Sequence, residues 1–230
     1  MNAERKRAAA AAALPMVRSG MALGLGTGST VEQLLPLLAA KLQDGGLTDI
    51  IGVPTSERTA AMCRSLSIPL RGLDEMPDLD LGIDGADEVA PDLGLIKGLG
   101  GALLREKMVA SACRSFVVIA DARKVVARLG ERSALPVEVV PFAWAWHLPF
   151  LRAQGAAPVI RRTADGALFM TDNNNVIIDC HFADGIADPA GLAQALSARP
   201  GVADHGLFLD LCEVAFIADV DGVRQMNRPD

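Results

Sequence analysis

Three segments of the chain carry residue types that bind or rearrange small polar molecules. The first, GLGTGST at 24–30, sets three glycines and three hydroxyls between an apolar run and a helix-like stretch. Backbone N–H groups at a helix N-terminus, with hydroxyls beside them, suit an anion. A Walker loop requires a lysine after its last glycine, and Ser29 follows Gly28 here. Ser29 also stands where the dinucleotide fingerprint has its last glycine. The pattern favours a phosphate site for another ligand, with an ordinary glycine turn and N-cap as the alternative.

The second segment, GIDGADEV at 82–89, is acidic. Asp84, Asp87 and Glu88 lie within five residues at the end of an apolar stretch that predicts a strand. Carboxylates this close repel one another unless cations, hydroxyls or a metal meet them. We favour carboxylates that accept hydrogen bonds from a polyhydroxylated ligand, because no second oxygen-rich cluster completes a metal site. A solvated acidic turn is the alternative.

The third segment, IKGLGGALLREKMVASAC, contains a lysine before a glycine-rich turn and a glutamate in the helix that follows. At about 100° per residue, Glu106 shares a helix face with apolar side chains. Desolvation on that face would raise the pKa of the Glu106 carboxyl towards the range useful to a general base. The alternative is a Glu106 that reaches solvent or pairs with Lys107 or Arg105.

The elements around these segments explain how they can meet. Strand and helix signals alternate over the first half of the chain, with a further short strand expected at 69–73. This alternation predicts an α/β fold, a doubly wound and mostly parallel (Rossmann-like) sheet with helices on both faces. Each candidate segment falls at the carboxyl end of a predicted strand, as does Lys124 shortly after Asp121. Ligands bind beyond such ends, so we expect one composite site.

After about Leu135 the pattern changes to hairpins and helices. ADG and DNNN supply the turn chemistry between two predicted strands, and a helix follows at PAGLAQALSAR. This predicts a second, smaller α+β domain inserted before the chain returns to the main sheet. We place the main domain at 1–130 and 207–230, and the inserted domain at 131–206.

Composition limits the function classes. The chain has 230 residues, 50% of them hydrophobic, and a net charge of -6, which argues against a nucleic-acid partner. No apolar run reaches the roughly 20 residues of a membrane-spanning helix, and the alanine-rich stretch at 1–17 favours a helix over a signal peptide. Four scattered cysteines favour reduced thiols in the cytoplasm, and the three histidines lack metal-ligand spacing.

Seven motifs, in this order, resemble those of the A-type ribose-5-phosphate isomerases. They are GLGTGST, TSERT, GIDGADEV, IKGLGGALLREK, IADARK, LPVEVVP and TDNNNVIIDC, which span nearly the whole chain. The resemblance implies a doubly wound domain with a smaller ferredoxin-like domain. It implies interconversion of ribose 5-phosphate and ribulose 5-phosphate through a cis-enediol(ate), in the non-oxidative pentose phosphate pathway, with no metal or organic cofactor. It also implies a cytoplasmic homo-oligomer, with a dimer favoured.

The same resemblance assigns roles by motif position. It implies Glu106 as general base and acid, with Asp84, Asp87 and Lys97 as further catalytic residues. The chain departs from the family pattern at Leu99, where glycine is usual, and at Leu104, where threonine is commoner. A positive φ would strain Leu99, whereas a side chain pointing away from the ligand would be harmless. The residues expected to bind substrate are Thr27, Gly28, Ser29, Thr30, Asp84, Gly85, Ala86, Asp87, Lys97, Gly98, Leu99, Gly100 and Lys124.

Two other functions stay open on the sequence. A related enzyme for another sugar phosphate, such as an aminosugar phosphate deaminase, generally recruits a histidine for ring opening, and His147, His181 and His205 lie outside the matched motifs. A sugar-phosphate sensor without turnover would lack the general base, yet Glu106 is present. In each case the expected partner is a small-molecule sugar phosphate, with no nucleic acid and no membrane.

Overall fold

A computed structural model describes residues 2–229. The helices are α1 (Asn2–Ala13), α2 (Val31–Gln43), α3 (Glu57–Ser65), α4 (Leu103–Ala112), α5 (His147–Ala153) and α6 (Pro189–Ser197). The strands of the first half are β1 (Ala22–Leu25), β2 (Ile51–Pro54), β3 (Leu79–Asp84), β4 (Glu88–Val89), β5 (Leu95–Ile96) and β6 (Cys113–Asp121). Those of the second half are β7 (Leu135–Val139), β8 (Ala157–Ile160), β9 (Val176–His181), β10 (Val202–His205), β11 (Leu207–Phe208), β12 (Val214–Asp219) and β13 (Gly222–Asn227).

The central sheet has six strands in the order β13-β12-β6-β3-β1-β2. Neighbouring strands run parallel except at the edge, where β13 pairs antiparallel with β12. The middle strands are buried along almost their whole length, as expected of strands covered on both faces.

Helices cover both faces of this sheet. α1 and α2 share one buried cluster with inward side chains such as Leu25 and Ile119, and α4 joins a cluster on the other face with Val118. Alanines at 9, 10 and 13 are fully buried, so α1 lies close against the sheet. The helix expected in the alanine-rich stretch is confirmed over 2–13, with residue 1 outside the described range.

The strand order changes direction at β1. The chain passes from β1 to β2 on one side, and β3 then lies on the other side of β1. Ligands of open α/β sheets bind at such a reversal, beyond the carboxyl ends of the strands. The hydroxyl-rich segment follows β1 and the acidic segment follows β3, so the topology brings both to one place.

A smaller antiparallel sheet has the order β10-β7-β9-β8. Helix α5 connects β7 to β8 and α6 connects β9 to β10, which is the ferredoxin-like βαββαβ arrangement. The α/β class with a second, smaller α+β unit is therefore confirmed. The division at 130/131 and 206/207 stays a prediction, and residue 230 of the main unit lies outside the described range.

A third sheet of only three short strands, β11-β5-β4, joins the two. The prediction that every candidate segment follows a strand of the parallel sheet is therefore wrong for the lysine segment, because β5 pairs antiparallel with β4 and β11. The short strand expected at 69–73 is also absent. Leu70 makes an isolated bridge to Gly52 and the segment does not extend the sheet further.

Candidate active site

A cavity of about 630 Å³ opens at the reversal point of the central sheet. Asp84 and Leu99 are the two predicted site residues that do not line it. The predicted residues on its wall are Thr27, Gly28, Ser29, Thr30, Gly85, Ala86, Asp87, Lys97, Gly98, Gly100, Glu106 and Lys124.

Thr27 is anchored by three hydroxyls of the TSERT segment. Its Oγ1 lies 2.7 Å from Thr55 Oγ1, 2.8 Å from Ser56 Oγ and 3.1 Å from Thr59 Oγ1. Ser56 also caps α3, because its hydroxyl accepts the Thr59 N–H. This network holds the start of the hydroxyl-rich turn in one position.

The rest of this turn leads directly into α2. Gly28 has a φ of 116°, a conformation that other residues rarely adopt. Thr30 is the N-cap residue of α2, but its side chain makes no capping hydrogen bond. The Ser29 hydroxyl accepts a 2.6 Å hydrogen bond from Lys6 Nζ. The turn therefore places hydroxyls, helix N–H groups and a lysine on one wall, which suits an anion better than an ordinary N-cap turn.

Asp84 lies beneath the turn and is 1% exposed. Its Oδ1 accepts the N–H groups of Thr27 at 3.0 Å and Gly85 at 2.6 Å, and its Oδ2 lies 2.9 Å from Lys97 Nζ. Gly26 comes so near that an added Cβ would stand 2.1 Å from the Asp84 carboxyl. Asp84 thus joins the two loops and holds a buried lysine.

Lys97 is 2% exposed and is held at both ends. Its backbone N–H donates to Gly206 O at 2.9 Å, and its Nζ donates to Gly85 O at 2.5 Å. Nζ also lies between two buried carboxylates, 2.9 Å from Asp84 and 3.2 Å from Glu106. Burial alone would lower the pKa of Lys97, but the charges of these carboxylates outweigh burial and raise it. The ammonium therefore stays charged.

Glu106 lies in the first turn of α4, on the face where Leu103, Val109 and Ala110 are also buried. This confirms the apolar surroundings predicted from helical periodicity. Its Oε1 faces Lys97, whereas the buried Oε2 has no hydrogen-bond partner among the described residues. Burial, partly opposed by the charge of Lys97, raises the pKa of Glu106 to about 8.

The other pairings that the sequence left open for Glu106 do not occur. Arg105 Nη1 lies 2.8 Å from Glu57 Oε1, and Lys107 Nζ lies 2.5 Å from Asp204 Oδ1. The neighbouring cations of α4 thus have partners of their own, and the carboxyl of Glu106 points into the cavity wall.

The glycine-rich turn after Lys97 is tied to Asp87. The Leu99 N–H donates to Asp87 Oδ2 at 2.9 Å, and Lys124 Nζ lies 3.6 Å from Asp87 Oδ1. Leu99 is not among the residues with a positive φ, and it is 41% exposed. Of the two alternatives for Leu99, the structure has the unstrained one, with the side chain off the cavity wall.

Glu88, the third acidic residue of its segment, does not face the cavity. It is fully buried, and it accepts the N–H groups of Gly130 at 2.6 Å, Arg132 at 2.8 Å and Ser133 at 2.5 Å. The idea that all three carboxylates meet a ligand is therefore wrong for Glu88, which joins β4 to the 130–133 loop.

Sequence reasoning missed several charged residues of the wall. Lys6 belongs to α1, a whole helix and strand before the turn that it contacts, and its only sequence signal was the basic run ERKR. The others belong to the TSERT and IADARK motifs, in which no role in the site was predicted for them, or to the loop at 130–133. The wall residues that were not predicted are Lys6, Arg58, Ala120, Asp121, Arg123, Arg132 and Ser133.

The described residues form neither a metal-binding cluster nor a membrane-spanning helix. Across residues 2–229, no three or more His, Cys, Asp or Glu side chains stand together as a metal-binding group would. No helix in that range combines the length and the apolar character needed to cross a membrane.

The site combines a turn of hydroxyls at a helix N-terminus with a carboxylate of raised pKa beside a buried ammonium, at the reversal point of a doubly wound sheet. This geometry defines a class of enzyme that moves a proton on a small phosphorylated substrate. Comparison with known proteins makes the class specific. The profile of the family described as "Ribose 5-phosphate isomerase A (phosphoriboisomerase A)" matches residues 51–222. The chain belongs to the ribose 5-phosphate isomerase A family, and it is an isomerase.

Individual relatives cover 98–100% of the chain. Ribose-5-phosphate isomerase A of Roseiflexus castenholzii is 55% identical over 98% of this chain and 96% of its own. A solved D-ribose-5-phosphate isomerase in complex with phospho-erythronic acid has a TM-score of 0.96 at 37% identity, covering 99% of this chain and 100% of its own. The ribose 5-phosphate isomerase from Plasmodium falciparum has a TM-score of 0.95 at 37% identity and covers 100% of both chains.

Proposed function

We propose that the chain interconverts ribose 5-phosphate and ribulose 5-phosphate through a cis-enediolate, with Glu106 as the proton-transferring group. The reaction removes the proton from C2 of the aldose and returns it to C1, or the reverse. One carboxylate on one face of the intermediate can perform both transfers.

The observation that carries the proposal is the state of the Glu106 carboxyl. It lies on the cavity wall, its Oε2 is buried without a hydrogen-bond partner among the described residues, and its pKa is raised to about 8, chiefly by burial. An unpartnered oxygen is available to take a proton from carbon. A conjugate acid with this pKa can also return that proton near neutral pH.

Lys97 and the glycine-rich turn are assigned to the developing charge. As the proton leaves carbon, negative charge grows on the sugar oxygens, and preorganised donors stabilise it most where water is excluded. Lys97 Nζ, already beside Glu106, and the Gly100 N–H on the same wall are the donors proposed for this role. Asp84 would act through Lys97, since it is buried behind that residue.

The phosphate is assigned to the turn after β1. Ser29, Thr30 and Gly28 would supply donors, with Lys6 and Lys124 as the cations. Asp87, between Lys124 and the glycine-rich turn, would accept a sugar hydroxyl. Binding of the phosphate remote from C1 and C2 would orient the reacting carbons.

The first test is steady-state isomerisation of ribose 5-phosphate, in the presence of EDTA, by wild type, Glu106→Gln and Glu75→Gln. Glu75 is a surface glutamate paired with Arg71, so its variant should match wild type. We expect Glu106→Gln to lose about 10²- to 10⁴-fold in kcat, the range of general acid–base catalysis. A wild type that binds the sugar phosphate without turning it over would instead favour the sensor.

The deaminase alternative receives no support from the cavity. Its chemistry calls for a histidine at the sugar, and His147, His181 and His205 are not on the cavity wall. Release of ammonia from an aminosugar phosphate by the purified chain would instead support the deaminase.

A cytoplasmic homodimer is part of the proposal. Four cysteines without disulfide partners among the described residues suit a reducing compartment. Trp144 is half-buried against the core of the smaller sheet, whereas Trp146 is 58% and Phe142 87% exposed. Large exposed apolar side chains are typical of subunit contacts. Light scattering should give twice the mass of one chain, and a monomer would contradict the dimer.

A further inference from the structure

Arg161 of the smaller sheet contacts the glycine-rich turn that forms part of the cavity wall. Arg161 directly follows β8, and its backbone N–H donates to Ile177 O at 2.8 Å. Its guanidinium forms a two-pronged pair with Asp179 of β9, with Nε 2.8 Å from Oδ2 and Nη2 2.5 Å from Oδ1. Such a fork fixes the orientation of the whole guanidinium plane.

The remaining nitrogen of this guanidinium holds the glycine-rich turn. Arg161 Nη1 donates to Gly98 O at 3.2 Å and to Leu99 O at 3.0 Å. The Phe169 ring packs beneath the same guanidinium and against Gly101, where an added Cβ would stand 2.6 Å from the ring. The glycine-rich turn is therefore held by contacts with the smaller sheet as well as by its connection to α4.

This grip determines where the amides of the turn point, because the N–H of a trans peptide points opposite to its C=O. The Gly98–Leu99 peptide turns its carbonyl to Arg161, and its N–H donates to Asp87 on the other side. The Leu99–Gly100 peptide likewise turns its carbonyl to Arg161. Its Gly100 N–H points away from the arginine and has no protein acceptor among the described residues.

We propose that Arg161, held by Asp179, is a positioning residue that keeps the Gly100 N–H directed at the reacting sugar oxygen. Glycine accepts both signs of φ, so the Leu99–Gly100 peptide has a second orientation within reach. The two carbonyl bonds to Arg161 select one orientation before the substrate arrives. The inference rests on the proposed isomerase activity and adds a role for the smaller sheet in the electrostatics of catalysis.

The test compares Arg161→Gln and Arg161→Lys with Arg162→Gln. Arg162 is the next residue and lies exposed, and within residues 2–229 its guanidinium donates only to Gly166 O, so it is a matched control. Each variant is assayed for thermal unfolding, for kcat and KM with ribose 5-phosphate, and for inhibition by phospho-erythronic acid. The carboxylate of that acid carries the negative charge that an enediolate develops.

We expect Arg161→Gln to lower kcat about 10²-fold, the loss typical of one oxyanion donor, with KM changed less than threefold. The inhibition constant of phospho-erythronic acid should rise at least tenfold, because the inhibitor depends on the same donor. Arg161→Lys should recover part of kcat, since it can reach a carbonyl but cannot form the fork, and Arg162→Gln should match wild type.

A folded Arg161→Gln with kcat and inhibition constant within threefold of wild type overturns the inference. If Arg161→Gln does not fold, Asp179→Asn takes its place, because it keeps the arginine and removes the fork. A fivefold or greater loss of kcat at constant KM then supports the inference, and an unchanged kcat overturns it. An inactive wild type is a different result, which refutes the proposed function itself.

Discussion

Replacing Lys97 by methionine removes the ammonium that lies between two buried carboxylates. Asp84 Oδ2 and Glu106 Oε1, at 2.9 Å and 3.2 Å from Nζ, are then left without their cation, and both residues are less than 5% exposed. Breaking a buried ion pair on one side costs about 3–5 kcal/mol in the free energy of unfolding. In a chain of this size each kcal/mol lowers Tm by about 2–4 °C, so we expect a fall of about 6–20 °C.

The loss should depend on pH in a defined direction. Burial already raises the pKa values of Asp84 and Glu106, and loss of the ammonium removes the charge that opposes this. The folded variant therefore holds protons on these carboxyls to higher pH than folded wild type does, so the stability lost through the substitution grows as pH rises. Each extra bound proton contributes about 1.4 kcal/mol per pH unit, so the variant should be much closer to wild type at pH 6 than at pH 9.

The assay is urea and thermal unfolding of wild type, Lys97→Met and Lys124→Met at pH 6 and pH 9. Lys124 is 40% exposed and 3.6 Å from Asp87, so its variant should lose less than about 1 kcal/mol. A Lys97→Met variant that loses less than 1 kcal/mol at pH 9, or equally much at both pH values, refutes the reasoning that this lysine neutralises two buried charges.

Three further predictions follow from the same geometry. Catalysis needs the ionised form of Glu106, whose pKa is raised to about 8, so kcat/KM should increase with pH. It should reach roughly a tenth of its plateau at pH 7 and level off above pH 8. A pH–rate profile that is already at its plateau at pH 5.5 contradicts this. Gly26→Ala would place a Cβ 2.1 Å from the Asp84 carboxyl, so the free energy of unfolding in urea should fall by more than about 2 kcal/mol. The control Gly72→Ala, whose Cβ would have its nearest neighbour at 3.7 Å, should change that free energy by less than about 0.5 kcal/mol. Lys6→Ala should raise KM about tenfold and change kcat less than threefold, because a phosphate contact stabilises the bound ground state and the transition state equally. A change in kcat alone would contradict the assignment of Lys6 to the phosphate site.

Local pattern was sufficient for the parts of the site that depend on one element. Helical periodicity placed Glu106 on an apolar face, and α4 buries it there. The GLGTGST turn was expected between a strand and a helix, and it connects β1 to α2. In each case sequence neighbours determine the surroundings of the residue, so spacing alone carried the information.

Contacts between segments distant in the sequence could not be predicted from the spacing of residue types. Asp84 was expected to touch the sugar, but packing places it beneath Lys97, since Gly26 leaves room for its carboxyl below the turn. Lys6 reaches Ser29 only because α1 packs on the central sheet. β5 belongs to a separate antiparallel sheet, which the alternation of strand and helix signals did not predict. Arg161 was missed for the same reason, because its role depends on carbonyls more than sixty residues earlier.

The most direct measurement of the central claim follows carbon-bound hydrogen. Wild type and Glu106→Gln are incubated with ribose 5-phosphate in deuterated water containing EDTA, and NMR records both ribulose 5-phosphate formation and deuterium at the reacting carbon. We expect wild type to isomerise the sugar with incorporation of solvent deuterium, and the variant to lose both. Isomerisation and exchange by Glu106→Gln at the wild-type rate would contradict the assignment of proton transfer to Glu106.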